Sequence, residues 1–334
     1  MRARLADASV SAKKEKLFMN ERLQNFPISF FAVVMGLVGA AIAWQRAEIL
    51  WGWKGYVGLA LVWLSALVFL LVLAMYLAKA LRHFPEVKKE FQNITKLSFF
   101  PTISISMLLL SIGSMNLYPG ISQALWIAGT VLHFLFSVAI ISIWIRHPSL
   151  EINHISPAWF IPVVGNILVP IAGVTYAPAE ISWFFFSIGL VFWIGLFTIL
   201  LYRLIFHNPL PERLLPTLFI LIAPPAVGFI AYVKITGAVD SMARILYYFG
   251  LFVFILMIPQ LRMLSKIKYY LSWWAYTFPM AALTIATMLM YHHNQMDFFK
   301  YLALVLLIIL SGVIILLGFM TITAMKNKSI CIED

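Results

Sequence analysis

Ten stretches of this chain are long and apolar enough to cross a lipid bilayer, and that pattern leaves few folds open. They fall at about residues 27–44, 56–79, 98–116, 121–144, 157–175, 179–203, 214–235, 239–262, 271–290 and 298–325. At ~1.5 Å per residue, about twenty residues cross a ~30 Å hydrocarbon core. Backbone groups in that core must be paired within the protein, so each span reads as a helix. With 63% hydrophobic and 11% charged residues, the chain lies far from soluble composition. The expected fold is an all-α polytopic membrane protein.

An even number of spans returns both termini to one side. Short loops join span one to two, three to four and so on, whereas the longer connections hold most of the charge, including Lys79, Arg82, Lys88, Lys89 and Lys96. By the positive-inside rule the termini and these loops are cytoplasmic. The net charge of +11 then follows from topology, and a nucleic-acid partner is not expected. Residues 1–25 are polar and basic without the apolar core of a secretory signal and read as a cytoplasmic lead-in, with Met19 opening a second plausible start, so that the first eighteen read as a dispensable extension or a start-site choice. Residues 26–325 form the membrane domain and 326–334 a cytoplasmic tail.

Proline divides the spans into two kinds. Pro27, Pro101, Pro157, Pro162, Pro170, Pro216, Pro224, Pro225 and Pro279 lie in odd-numbered spans, and only Pro259 lies in an even one. Pro27, Pro101, Pro162, Pro224 and Pro279 recur at roughly 60-residue intervals, the signature of a repeated unit. Proline cannot donate a backbone hydrogen bond and its ring crowds the preceding turn, so each marks an expected kink. Freed backbone groups are tolerated in lipid only when protein or a water-filled cavity covers them. The chain therefore reads as five parallel helical hairpins, each a broken inner helix and a plain outer one, closing into a quasi-five-fold ring around a central pore.

Away from their end turns, the odd spans contain no Asp, Glu, Lys, Arg or His. That argues against a proton relay or a carboxylate ring for cations. Small polar residues remain: Ser29, Thr102, Ser104, Ser106, Asn166, Thr217, Thr277, Thr284 and Thr287. Of these, Ser29, Ser104, Asn166 and Thr277 are candidate pore-lining groups, although Asn166 is first an interhelical hydrogen-bonding residue. Hydroxyl and amide donors beside a basic surface tolerate anions better than cations.

His292 and His293 project about 100° apart on a helix end and make a poor chelate, so no metal site is expected. His133 reads as a buried interhelical donor, and Trp273 and Trp274 as interface anchors. Cys331, the single cysteine, lies in the tail and excludes an internal disulfide. No convergent set of reactive side chains lies within the bilayer, so neither enzymatic activity nor a cofactor is expected.

The strings W-W-A-Y-T-F-P-M in the ninth span and F-P-I-S-F-F-A-V-V-M-G-L in the first, with the ten-span proline pattern, resemble the tellurite-resistance/dicarboxylate transporter family. That family includes bacterial TehA proteins and the slow-type anion channels of plant guard cells. The resemblance covers residues 26–325 and implies a hairpin ring, usually a homotrimer with one pore per subunit in a bacterial inner membrane. It places a pore-plugging phenylalanine at Phe278 and inner-helix kinks at Pro27, Pro101, Pro162, Pro224 and Pro279. Ala32, often glycine in the family, and the second proline at Pro225 depart from its pattern. The implied function is a gated channel for small inorganic anions such as chloride and nitrate. The alternative is a carrier of C4-dicarboxylate, sulfite or tellurite-type oxyanions.

Overall fold

A computed structural model describes residues 21–331, and the expectations for residues 1–20 and 332–334 lie outside them. Among the described residues the chain is helical, with no strand. Nine helices among the described residues are long and apolar enough to cross a membrane: α1 Ile28–Trp51, α2 Val57–Arg82, α3 Ile94–Ser114, α4 Pro119–Arg146, α5 Pro157–Tyr176, α6 Ala179–Phe206, α7 Glu212–Thr236, α8 Ser241–Leu264 and, last of them, α10 Asp297–Lys326. Between the last two lies α9, Thr277–Asn294, preceded by a 3-10 segment, Leu271–Tyr276. It is less apolar, with His292, His293 and Asn294 in its last turn, and most of its side chains are buried against protein.

Burial separates the two sets of helices. In α1, α3, α5 and α7, 72–89% of the most apolar window is buried, against 28–33% in α2, α4, α6, α8 and α10. The second set exposes large apolar side chains along its length, including Leu70, Val131, Val191, Phe252 and Ile308, as a helix against hydrocarbon requires. Each odd helix packs on its hairpin partner: α1 on α2, α3 on α4, α5 on α6, α7 on α8 and α9 on α10. The odd helices also pack on one another in a closed cycle, α1–α3–α5–α7–α9 and back to α1. Each even helix further touches the next odd one, and α10 touches α1.

The breaks in the odd helices follow the chemistry of proline. The α-helical part of α7 begins at Ala223 after a 3-10 run, Glu212–Ile222, with Pro224 and Pro225 in its first turn. In the ninth span, regular helix begins at Thr277, two residues before Pro279. In α3, a turn separates Ile94–Leu97 from Thr102–Ser114, and Pro101 stands at the N-terminal boundary of the second piece. In α5, Pro162 lies in the short helix Phe160–Val164, followed by 3-10 Gly165–Leu168 and then Val169–Tyr176. The first turn of an α-helix has unpaired N–H groups in any case, so proline is accommodated there and the irregularity falls upstream. Pro27 is a correction: it is extended (φ −84°, ψ 145°) and precedes the helix, so no mid-helix kink forms at it.

The helix ends also differ from the expected spans. α1 continues to Trp51, where Gly52 (φ 65°) takes the left-handed conformation that ends it, and Gly237 (φ 73°) does the same for α7. A short helix, Phe84–Gln92, lies between α2 and α3, where the sequence suggested only a charged loop. Its Glu90 is buried, accepts from Lys79 Nζ at 2.8 Å and Tyr76 Oη at 3.1 Å, and also accepts from the Ile28 amide at 2.9 Å. Lys79 Nζ donates as well to the Phe26 carbonyl at 2.8 Å. The ion pair thus fixes the start of α1 to the end of α2.

Candidate functional site: two chambers meeting at Phe278

Two chambers lie end to end inside the cycle of odd helices. The inner one, about 70 Å³, is lined by the N-terminal halves of all five: Ala32 and Met35; Phe99, Thr102 and Ile105; Phe160, Ile161, Val164, Gly165 and Leu168; Ile220, Ala223, Pro224 and Val227; Trp274, Ala275, Phe278 and Pro279. The outer one, about 280 Å³, is lined by the C-terminal halves: Gly39, Ile42, Gln45, Arg46 and Ile49; Leu109, Ile112, Met115 and Asn116; Leu168 and Ile171; Val227, Ile230 and Lys234; Phe278, Ala281, Ala282, Ile285 and Leu289. No even helix contributes to either wall. Leu168, Val227 and Phe278 line both, so the chambers meet at these three side chains.

Each odd helix presents one stripe to this path. In α1 the lining residues are Ala32, Met35, Gly39, Ile42, Gln45, Arg46 and Ile49. In the ninth span they are Trp274, Ala275, Phe278, Ala281, Ala282, Ile285 and Leu289. Both sets follow the three-and-four spacing of a single helix face. Phe278 is half-buried, with Gly39 of α1 nearby: a Cβ at Gly39 would lie 3.6 Å from Phe278 Cδ2 and 2.9 Å from the Ala281 Cβ. One turn earlier, a Cβ at Gly36 would lie 2.1 Å from Thr277 Oγ1, so glycine lets α1 and α9 approach closely.

The four polar residues expected in the pore wall line neither chamber. Ser104 is fully buried; its hydroxyl donates to the Pro101 carbonyl at 2.8 Å and lies 2.9 Å from His133 Nδ1 of α4. Asn166 Nδ2 donates to Ser137 Oγ of α4 at 2.9 Å and to the Val163 carbonyl at 2.7 Å, the interhelical role first assigned to it. Thr277 Oγ1 donates to the Trp274 carbonyl at 2.7 Å, facing Gly36. Ser29 lies in the 3-10 turn that opens α1 and touches neither chamber. The reason is phase: Ser104, Asn166 and Thr277 each stand one residue, about 100°, from a lining position. An apolar surrounding also rewards a hydroxyl that bonds the carbonyl three or four residues back. The inner wall is accordingly almost wholly apolar, with Thr102 as its hydroxyl-bearing residue.

Trp274 corrects a second expectation. It is buried, lines the inner chamber and donates from Nε1 to Thr321 Oγ1 of α10 at 2.9 Å, so it is no interface anchor. His133 is buried in α4 against α3 and α5, as expected for an interhelical group. Among the described residues, no group of three or more His, Cys, Asp and Glu is arranged to hold a metal.

The outer chamber also carries charge that the sequence reading left out of the path. Arg46 and Lys234 line it, with the amides Gln45 and Asn116. Neither cation has an ion pair among the described residues, and no carboxylate lines that wall. Arg46 lies two residues beyond the expected end of its span at residue 44. Lys234 stands in the last turn of its span, where a cation reads as part of the membrane surface. The 3.6-residue stripe would have found both: Arg46 follows Ile42 by four residues, and Lys234 follows Ile230 by four.

Two adjoining chambers enclosed by the odd helices, with Leu168, Val227 and Phe278 in both walls and no Asp or Glu in either lining, lie inside an integral membrane protein. Comparison with known proteins gives its family. Residues 25–322 match the SLAC1 family, described as voltage-dependent anion channel, and the chain belongs to that family. It is 30% identical over 287 residues to the S-type anion channel SLAH2 of Arabidopsis thaliana, covering 82% of this chain and 55% of the plant protein. It is 29% identical over 300 residues to the uncharacterized transporter MJ0762 of Methanocaldococcus jannaschii, covering 82% and 87% of the two chains. Identity to the tellurite resistance protein TehA homolog of Haemophilus influenzae is 25% over 299 residues, covering 89% and 91%. The chain thus spans about half the length of the plant channel and most of the length of the two microbial proteins.

Proposed function

We propose that the protein is a gated channel for small monovalent anions such as chloride and nitrate, closed at Phe278. The observation that carries this reading is the junction itself: one stripe from each of five odd helices lines both chambers, and Phe278 stands where they meet. An aromatic ring across an apolar constriction blocks ions by filling it and keeping it dry. Anion preference comes from Arg46 and Lys234, which raise the local anion concentration at one mouth, with no carboxylate on the wall to favour cations. The absence of a titratable acid from both linings disfavours proton-coupled transport.

The plant relatives are named as anion channels and the microbial ones as a transporter and a tellurite resistance protein. A carrier of C4-dicarboxylate, sulfite or tellurite-type oxyanions is the second reading, favoured by the two cations in a chamber of about 280 Å³. In either case we place the chain in a bacterial inner membrane, termini cytoplasmic, as a homotrimer with a pore in each subunit. The distinguishing experiment uses purified protein in proteoliposomes under a chloride gradient. A reversal potential following the chloride gradient, with flux linear in concentration, supports the channel. Saturable exchange of radiolabelled dicarboxylate or oxyanion without net current establishes the carrier instead.

A further inference from the structure

The two chambers are chemically unlike, and the difference has a directional consequence. The inner chamber, about 70 Å³, is lined by apolar side chains, the aromatic rings of Phe99, Phe160, Trp274 and Phe278 among them, and by the Thr102 hydroxyl. The outer one has about four times that volume and carries Arg46, Lys234, Gln45 and Asn116. Arg46 stands in the last two turns of α1 and Lys234 in the last turn of α7, two helices separated around the cycle by α9. Their charges therefore reach the chamber from different sides of its wall. Gln45 is held in place by donating from Nε2 to the Gly113 carbonyl at 3.0 Å.

We propose that the outer chamber is a binding site for a divalent oxyanion, held between Arg46 and Lys234, which enters from that mouth, cannot pass Phe278 and blocks conduction. The proposal rests on the channel reading for its consequence, and on the chamber alone for the binding. Two cations without a carboxylate partner in a semi-enclosed space are each incompletely compensated, and one dianion neutralises both. A monovalent anion neutralises one and leaves the other, so it is held less firmly and moves on. Guanidinium also matches the geometry of a carboxylate or sulfate through paired N–H donors, whereas the Lys234 ammonium acts as a point charge. Beyond the chamber, the apolar wall and the Phe278 constriction offer a dianion nothing to replace its hydration, whose loss costs more than for a monovalent ion. The site is thus a dead end for dianions on the way to the constriction. From the opposite mouth, the small apolar chamber admits no dianion, so the block is one-sided.

The chemistry shared by inorganic sulfate and by short dicarboxylates satisfies the two cations equally in charge, and the span of the ligand distinguishes them. Purified full-length protein in detergent at low ionic strength is titrated calorimetrically with sodium sulfate, sodium succinate and sodium chloride. Sulfate or succinate is expected to bind at least tenfold more tightly than chloride. Succinate ahead of sulfate identifies a dicarboxylate site, and the reverse an inorganic oxyanion site. Arg46→Gln and Lys234→Gln are each expected to weaken the dianion at least tenfold and to leave chloride within about threefold, whereas Arg46→Lys and Lys234→Arg retain most of the binding. Phe192→Ala, exposed on α6 and in neither lining, should bind the dianion as the parent does. The proposal is overturned if dianions bind no more tightly than chloride, or if the charge-removing variants bind as well as the parent while still folded by circular dichroism. Binding with these dependences in a protein that carries no anion current leaves the site standing and removes the channel reading. In a conducting protein, sulfate added to the Arg46 side should reduce chloride current while sulfate on the other side does not. Equal block from both sides overturns the one-sided mechanism.

Discussion

Replacing Phe278 by alanine tests the constriction most directly. The ring is half-buried and faces a chamber on either side, so an ion can pass only when the ring gives up the burial it has. Fully burying a phenyl side chain is worth about 1.5–3 kcal/mol, and up to about a third of that is already lost to the two chambers. The cost of clearing the path is then roughly 1–2 kcal/mol, which at about 1.4 kcal/mol per factor of ten is a 5- to 30-fold effect. Phe278→Ala is therefore expected to raise chloride current 5- to 30-fold in planar bilayers at matched protein content. Phe278→Leu should fall between the two, and Leu168→Ala and Val227→Ala should raise current less, since they share the junction without spanning it as a ring. Phe192→Ala, an exposed aromatic on α6, should leave the current unchanged. Reversal potentials must continue to follow chloride and not potassium. A rise of less than about threefold for Phe278→Ala, or an equal rise in potassium current, would refute the argument that this ring is the barrier.

Four further outcomes are expected. Among permeant ions, nitrate should exceed sulfate in bi-ionic reversal measurements, because the inner wall offers little to replace a hydration shell; a preference for sulfate would contradict the desolvation argument. Gly36→Ala places a methyl group 2.1 Å from Thr277 Oγ1, so overpacking should cost about 1–3 kcal/mol of stability. A thermal melt in detergent should show the loss, and Gly36→Ala with Thr277→Ala should recover part of it. Glu90→Ala leaves Lys79 buried without its partner and should cost about 3–5 kcal/mol, most of it restored by Lys79→Met in the same chain; an unchanged melting temperature for the single variant would show the pair to be dispensable. Asp240 caps α8 through the Ala243 amide at 3.0 Å and accepts from Tyr232 Oη at 2.6 Å, and these bonds hold its carboxyl below its ordinary range. The unfolded chain therefore binds that proton at higher pH than the folded one: the contribution is complete above the ordinary carboxylate range and is lost as pH falls through the depressed value. Asp240→Asn should remove that part of the acid dependence of the melting temperature, and an unaltered profile would count against it.

The proline pattern made the helix breaks readable before any coordinates. Proline breaks the odd spans from the third onward and, Pro259 of α8 apart, stays out of the interior of the even ones, and an unbroken helix faces lipid without exposing unpaired backbone. That constraint sorts α3, α5, α7 and the ninth span to the inside, and the fold buries them there together with α1. Pro27 departs because a proline at a helix's leading edge costs nothing and bends nothing. The short helix Phe84–Gln92 was hidden by its charge: Glu90 reads as a solvated residue until Lys79, eleven positions earlier on another helix, is seen to meet it.

The lining was less legible because polarity is a poor guide to direction inside a membrane protein. In water a serine or threonine on a helix points to solvent, but in an apolar surrounding its hydroxyl is satisfied by its own helix, as Thr284 is by the Met280 carbonyl and Thr287 by that of Leu283. Such a residue has no reason to seek the pore, and the wall is left to side chains that demand nothing from the passing ion. Helical phase was the better signal. Anchored at Phe278, the three-and-four spacing runs back to Trp274 and on through Ala281, Ala282 and Ile285 to Leu289, while Thr277 falls off it. Applied to α1 and α7, the same spacing ends on Arg46 and Lys234, the two cations of the outer chamber. In the proposed channel a weakly held ion needs a wall that neither binds nor repels it along most of the path and attracts it at one mouth, and a stripe of aliphatic residues ending in a cation meets both requirements.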